Sequence, residues 1–176
     1  VGLGAAAQIE RRGAGHEVAV LEHRGVHGAH PAAGAHHGGA DPDRFGGHPA
    51  HGTVGQADSC APSRSSNPLQ DTGTWLEQML SLGWVVVSTD YVGLGTPGTE
   101  QYLVAQAEAR DVVNAVRAAR AFPGAAAGTR WVAWGHSQGG HSSLWTGHLA
   151  AELAPELELL GVAAAAPAAE LLPIMA

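Results

Sequence analysis

The sequence has no lysine, a single cysteine and no long hydrophobic run, and each absence excludes a class of protein. Its nine basic residues are all arginine, against 16 acidic residues and a net charge of −7. Without a basic run, we expect no nucleic-acid partner and no anionic membrane partner, because both depend on neutralised phosphates. One cysteine excludes an internal disulfide and a zinc ribbon. No apolar stretch reaches the roughly 20 residues of a membrane helix, so we expect no membrane insertion. No signal peptide is visible.

The composition divides the chain near residue 51. Eight of the eleven histidines lie in the first 51 residues, and residues 25–49 contain only Val26 and Phe45 as large apolar side chains. Such a segment buries too little surface to offset its ordering entropy. We therefore predict that residues 1–50 are a poorly ordered, low-complexity segment outside the core, and that residues 43–50 cannot form a core strand. A frameshift or misjoin over residues 25–49 would explain this composition, and resequencing the gene tests it. Residues 51–176 have the composition of an ordinary globular enzyme.

Residues 1–24 allow two interpretations. Gly2, Gly4 and Ala7, with Glu22 twenty residues after the first glycine, resemble a dinucleotide-binding fingerprint and so a remnant of a flavin- or NAD-dependent oxidoreductase. Only Val1 precedes the first glycine, so the strand that the fingerprint requires is missing. An alanine-rich helix followed by a short strand over residues 17–21 is the favoured interpretation. Histidines at several positions could bind a metal adventitiously, but glycine and proline interrupt any helix that would align them, and we predict no metal site. These histidines are His23, His27, His30, His36 and His37.

Helical and strand-like patterns alternate after residue 51. The spacing of apolar residues predicts helices. Short β-branched or apolar runs predict the strands between these helices, and the last predicted element is a strand. The predicted helices are 71–82, 102–122 and 138–153, and the predicted strands are 84–89, 131–134 and 159–165. Strands separated by helices indicate a parallel sheet with helices on its faces.

A G-x-S-x-G motif lies between the second of these strands and the third helix. In Gly135-His-Ser137-Gln-Gly139 the serine must occupy a tight, strained turn that exposes its Oγ at the top of the sheet. The flanking glycines have no Cβ to collide across that turn. Gln138 opens the helix, so its backbone N–H can stabilise an oxyanion. Ser137 is the candidate nucleophile.

A second glycine turn precedes the first helix. His51-Gly52-Thr53-Val54-Gly55 stands where an α/β-hydrolase has the loop that donates the other oxyanion N–H. We favour the N–H groups of Gly52 and Thr53, and Val54 stays an alternative.

Several segments together resemble the secretory lipase family of α/β-hydrolases, over about residues 51–171. They are HGTVGQADSCAPS, GWVVVSTDYVGLGTPG, YLVAQAEARDVVNAVRAAR, WGHSQGGHSSLW and APELELLGVAAAAPAAEL. The resemblance implies a partial α/β-hydrolase fold and hydrolysis of acylglycerols or other carboxylic esters through Ser137. It also implies secretion and requires no cofactor. Cys60 matches a family cysteine that resembles half of a disulfide with a later cysteine; a small buried thiol is the alternative.

The acid and the histidine that would complete a catalytic triad with Ser137 are missing from residues 1–176. In α/β-hydrolases the acid and the histidine follow the serine, yet no aspartate follows Ser137. His141 and His148 lie on the helix that follows the serine, and we predict packing or surface roles for them. Asp90 precedes the serine, and we predict that it orients the loop 91–98. The chain alone is therefore expected to be inactive, and a non-catalytic hydrolase-like binding domain is a further alternative.

Overall fold

The computed structural model describes residues 6–12, 16–22, 44–66, 73–122 and 124–175. Within them lie six strands and four helices, with two short 3₁₀ turns at Asp58–Cys60 and Pro62–Arg64. The strands are β1 (Ala6–Arg12), β2 (His16–Glu22), β3 (Gly46–Ala50), β4 (Val85–Thr89), β5 (Arg130–His136) and β6 (Glu158–Ala165). The helices are α1 (Gly73–Ser81), α2 (Ala105–Ala121), α3 (Gln138–Leu153) and α4 (Leu171–Met175). None of the helices in these ranges is long and apolar enough to cross a membrane.

The strands form one sheet in the order β1-β2-β4-β3-β5-β6. β4, β3, β5 and β6 are parallel, and the antiparallel hairpin of β1 and β2 extends the sheet beyond β4. The predicted parallel sheet flanked by helices is confirmed, as are the three predicted helices and three predicted strands after residue 70. Parallel strands end at the same edge of a sheet, so the turns after β3 and β5 come together there.

The two faces of the sheet are packed differently. Side chains alternate between faces along a strand, and the β4 valines follow this rule. Val85 and Val87 pack in the main core, which α2 and α3 share. Val86 points to the other face, where it packs with Leu80 of α1. Beyond α1, on the part of this face formed by β5 and β6, a large cavity remains.

Strand β3 corrects one of the sequence predictions. Residues 46–50 form a strand between β4 and β5, with every residue buried. Glycines can serve in a core strand here because neighbouring tryptophans fill the space that side chains would occupy. A Cβ on Gly47 would lie 2.7 Å from the Trp134 ring, and one on Gly46 would lie 3.3 Å from the Trp131 Cβ. The prediction that residues 43–50 cannot form a core strand is therefore wrong.

The first residues also differ from prediction. Ala6–Arg12 is a strand that pairs with β2 along its whole length, so the predicted alanine-rich helix is wrong. The predicted strand over 17–21 is confirmed within β2. A dinucleotide fingerprint needs a helix where β1 lies, which removes support for the oxidoreductase alternative; Gly2 and Gly4 are outside the described residues. Placing residues 1–50 outside the core is wrong for β3, which is buried, while β1 and β2 belong to the same sheet. The histidines from His23 to His37 lie outside the described residues.

Candidate active site

Ser137 lies between β5 and α3 in a strained backbone conformation. Its φ is 57° and its ψ is −119°, a region that side-chain-bearing residues rarely adopt. The surroundings hold this turn in place: the Ser137 N–H donates to the Ala165 carbonyl at 3.0 Å, and the Ser137 carbonyl accepts the His141 N–H at 3.0 Å. The strand–turn–helix context expected for G-x-S-x-G is therefore present.

The two motif glycines allow the backbones around this turn to touch. A Cβ on Gly139 would lie 1.9 Å from the Ala50 carbonyl oxygen, and one on Gly135 would lie 2.4 Å from the Gly139 carbonyl oxygen. Both distances are far shorter than any real contact of a Cβ with an oxygen. The start of α3 is thus packed directly on the end of β3, which carries the second glycine turn.

Two of the predicted oxyanion donors, Gln138 and Gly52, lie close to Ser137. Gln138 is the first residue of α3, and the N–H groups in the first turn of a helix have no partner within that helix. Gly52 is close as well, since a Cβ built on it would lie 3.8 Å from the Ser137 Cβ and 3.3 Å from the His136 carbonyl oxygen. Thr53 is exposed, and its hydroxyl lies 2.9 Å from the Tyr102 hydroxyl.

Tyr91 supports the glycine turn from below. Its hydroxyl donates to the His51 carbonyl at 3.2 Å, and its ring lies against the His51 imidazole with 4.5 Å between centroids. Burial raises the pKa of the Tyr91 phenol, so the hydroxyl keeps the proton that it donates. Tyr91 itself has a φ of 66°, so a strained residue orients the loop that carries Gly52. Sequence reasoning did not single out this residue.

A cavity of about 1020 Å³ opens beside Ser137 and is lined mainly by apolar atoms. It runs from the glycine turn along the sheet face next to α1. Four bulky side chains line it together with Ser137 and Gly52, namely Trp75, Met79, Trp84 and Trp134. A space of this size and character can accommodate an apolar ligand chain next to the serine hydroxyl.

Asp90 lies at the end of β4 and anchors the segment around Cys60. Its buried carboxylate accepts the Ser63 backbone N–H at 2.9 Å and the Ser63 hydroxyl. The residue therefore orients Pro62–Arg64, and its predicted role in orienting the loop 91–98 stays a prediction. Cys60 is a free, half-buried cysteine that lines the cavity; its pairing with a later cysteine stays a prediction.

The histidines after the serine have the positions expected of packing and surface residues. His141 is buried, and its Nδ1 donates to the Ala168 carbonyl at 3.1 Å. His148 is exposed on α3, and His136 is exposed beside the cavity. Within the described ranges, no three His, Cys, Asp or Glu side chains are grouped so that they could hold a metal ion.

Glu108 is a second residue that sequence reasoning missed. It lies on α2, it is 1% exposed, and burial raises the pKa of its carboxyl to about 7. Its Oε1 accepts the Gln138 Nε2–H at 2.9 Å and the Leu103 N–H at 3.0 Å. The available signal is its position four residues before the buried Val112, on the inner face of the helix.

A strained serine between a parallel strand and a helix, with a glycine turn against it, defines an α/β-hydrolase fold, here in part. The solved structures agree. Candida antarctica lipase A in its closed state matches with a TM-score of 0.54 and 21% identity, over 84% of this chain and 32% of that one. The rice cell wall degrading esterase LipA from Xanthomonas oryzae, in a ligand-bound form, matches with a TM-score of 0.58 and 24% identity, over 84% of this chain and 36% of that one.

The family model described as secretory lipase matches residues 64–176, and the chain belongs to this family. No curated protein sequence matches this chain. The chain spans about a third of the length of the two solved structures. An 84% coverage of this chain exceeds what residues 51–176 alone can supply, so the structural likeness extends into the residues before His51.

Proposed function

We propose that the protein hydrolyses carboxylic esters through an acyl-enzyme on Ser137. The observation that carries this proposal is the strained Ser137 backbone, with φ 57° and ψ −119°, at the mouth of a largely apolar cavity. A serine hydroxyl is held in such a conformation where it must be presented to a substrate rather than packed. Membership in the secretory lipase family supports the same chemistry.

The proposed reaction has two steps. The Ser137 Oγ attacks the ester carbonyl carbon, the C–O bond to the alcohol breaks, and the alcohol leaves with the proton taken from the serine. Water then attacks the acyl-enzyme, which releases the carboxylic acid and restores the hydroxyl. The backbone N–H groups of Gln138 and of Gly52 or Thr53 stabilise the oxyanion in both steps.

We propose that the general base and its acid partner lie outside residues 1–176. His141 cannot act as the base, because its ring is turned to the Ala168 carbonyl and to Glu108. The Asp90 carboxylate already accepts a hydrogen bond from Ser63. These 176 residues alone should therefore show little or no turnover.

The substrate class that fits best is an ester with an apolar acyl group, because bulky apolar side chains line the cavity beside Ser137. The structural neighbours carry the names of a lipase and of a cell wall degrading esterase, and acylglycerols and smaller acyl esters are both within this class. We also propose that the protein acts outside the cell, as the family description implies; its detection in the medium of intact cells tests this.

Hydrolysis of p-nitrophenyl butyrate and labelling by a fluorophosphonate test the proposed function. We expect the gene product at its full natural length to do both, and Ser137→Ala to lose at least about 10³-fold in kcat. Residues 1–176 alone should show almost no turnover. Robust activity of residues 1–176 that depends on Ser137 would contradict the missing base.

Ser143→Ala is the matched control, because Ser143 is a buried serine on the same helix whose hydroxyl has no hydrogen-bond partner within the part of the chain that the structure describes. It should keep both activities. A full-length protein that neither hydrolyses the ester nor reacts with the fluorophosphonate would favour a non-catalytic binding domain instead.

A further inference from the structure

A buried polar cluster lies beneath the nucleophile turn, and the proposed reaction does not use it directly. Its centre is the Glu108 carboxyl, which is 1% exposed, and the Gln138 side chain, which is also 1% exposed. Burying two such groups is costly unless they are bonded to each other. The two side chains are hydrogen-bonded, with 2.9 Å between the Gln138 Nε2 and the Glu108 Oε1. The Glu100 Oε1 lies 3.4 Å from the same nitrogen.

Glu108 connects three segments that meet at this point. It belongs to α2, and its Oε1 also accepts the backbone N–H of Leu103, which has a left-handed φ of 55° in the loop before α2. Through Gln138 it reaches the first residue of α3. The carboxyl therefore ties the start of α3 to the α2 segment from the buried side.

Gln138 contributes two different groups to this arrangement. Its backbone N–H is the proposed oxyanion donor, and its side chain is the group that Glu108 binds. A residue whose side chain is held by hydrogen bonds cannot rotate freely about its backbone. Since an oxyanion donor acts only when it is directed at the developing charge, a restraint on the side chain also restrains the direction of the donor.

We propose that Glu108 is a positioning residue of the oxyanion hole, which fixes the Gln138 backbone N–H by binding the Gln138 side chain. This inference rests on the proposed function. Glu108 acts through Gln138 and does not touch the substrate.

The surroundings of Glu108 favour a carboxyl that carries a proton for part of the neutral range. Burial is the main cause that raises its pKa to about 7, and the nearby Asp111 and Glu100 carboxylates add to it. On the α3 side, the His141 Nε2 lies 3.8 Å from the Glu108 Oε2. The His141 Nδ1 donates to a carbonyl, so its Nε2 is the ring nitrogen that faces this carboxyl. In either protonation state the Oε1 accepts hydrogen bonds, so the restraint on Gln138 persists.

A double-mutant cycle in the full-length gene product tests the proposal. The variants are Glu108→Leu, Gln138→Leu and the double variant, assayed with p-nitrophenyl butyrate. We expect each single variant to lower kcat by about 10- to 100-fold, as for a displaced catalytic group, with KM changed by less than about twofold. The double variant should lose no more than a single one, because both changes remove the same bond. Multiplied losses would overturn the proposal.

Each kcat is divided by the fraction of Ser137 that reacts with a fluorophosphonate. This fraction separates a positioning role from a structural one, because partial unfolding lowers the reactive fraction and leaves kcat per reactive serine unchanged. An unchanged kcat per reactive serine in Glu108→Leu would overturn the proposal. Glu108→Gln keeps a carbonyl oxygen that accepts both N–H groups and should restore kcat to within about threefold.

Asp111→Asn is the matched control, a buried carboxyl one turn further along α2 that accepts the Val92 N–H at 2.8 Å. It should leave kcat per reactive serine unchanged, and a loss equal to that of Glu108→Leu would contradict a specific role for Glu108. A wild-type protein without activity would contradict the proposed function before any variant is compared.

Discussion

Gly139→Ala should destroy both the fold around Ser137 and the activity that depends on it. The added Cβ would lie 1.9 Å from the Ala50 carbonyl oxygen and 2.5 Å from its carbon. Both atoms belong to the backbone of a central strand, so the start of α3 would have to move away from β3. Overpacking of this severity costs about 3 kcal/mol or more, and displacing Ser137 from the oxyanion donors costs at least about 10²-fold in rate. Thermal unfolding and ester hydrolysis of the full-length protein measure the two effects.

Gly161→Ala is the control for this substitution. Gly161 lies in β6, where an added Cβ would meet no atom within 4 Å. The change should leave the stability nearly unchanged, and thermal unfolding is the measurement compared, because Gly161 itself lines the cavity beside Ser137. If Gly139→Ala behaved like Gly161→Ala, the close packing of α3 on β3 would be contradicted.

His48→Leu should stabilise the protein. His48 lies in β3 at 0% exposure, and neither of its ring nitrogens has a hydrogen-bond partner in any other described residue. A buried polar group without a partner costs about 1–3 kcal/mol, which an apolar side chain of similar size avoids. Denaturant unfolding at pH 7 should therefore give a free energy of unfolding higher by about that amount. A variant less stable than the wild type would show that the ring has a partner after all.

The same substitution should change how stability depends on pH. Burial lowers the pKa of His48 from 6.5 to about 3, so between these values the unfolded state binds a proton that the folded state does not. Stability is thus lost as the pH falls below 6.5, by up to about 1.4 kcal/mol per pH unit. His48→Leu removes this contribution, and the advantage of the variant over the wild type should grow from pH 7 to pH 5.

The quantity to measure is the difference in the free energy of unfolding between His48→Leu and the wild type. The reason is that Glu108 makes stability change with pH in the direction opposite to His48. Its pKa is raised from 4.5 to about 7, so between these values the folded state binds the extra proton and stability falls as the pH rises. Both proteins share this contribution, and it cancels in the difference.

Prediction from sequence succeeded where the evidence was local. The helices and strands after residue 70 have their own apolar periodicity, and the start of α3 follows from a motif that ends one element and begins the next. The strained turn at Ser137, the candidate nucleophile, could be predicted because it needs glycine on either side of the strained residue, a steric pattern that occupies five consecutive positions.

Prediction failed where the burial of a residue depends on a distant partner. β3 has almost no apolar side chains of its own, and tryptophans from β5 cover it, as the closeness of Gly47 to Trp134 illustrates. β1 has the composition of a helix, but pairing with β2 in an antiparallel hairpin overrides that propensity. From the sequence alone, Glu108 has the character of a solvent-exposed helix residue. Only the packing of α3 against α2 buries it.

For this chain, the order of residues was sufficient to establish the class of fold, the family and the candidate nucleophile. The class of fold and the candidate nucleophile depend on short-range periodicity and on one contiguous motif, and the family was indicated by the resemblance of several segments to secretory lipases. Tertiary structure alone decided that β3 completes the sheet, that Tyr91 supports the glycine turn and that Glu108 lies beneath Gln138. Each of these is a contact between segments at least 30 residues apart. The physical reason is that burial and hydrogen bonding belong to pairs of segments, whereas a sequence pattern describes one segment at a time.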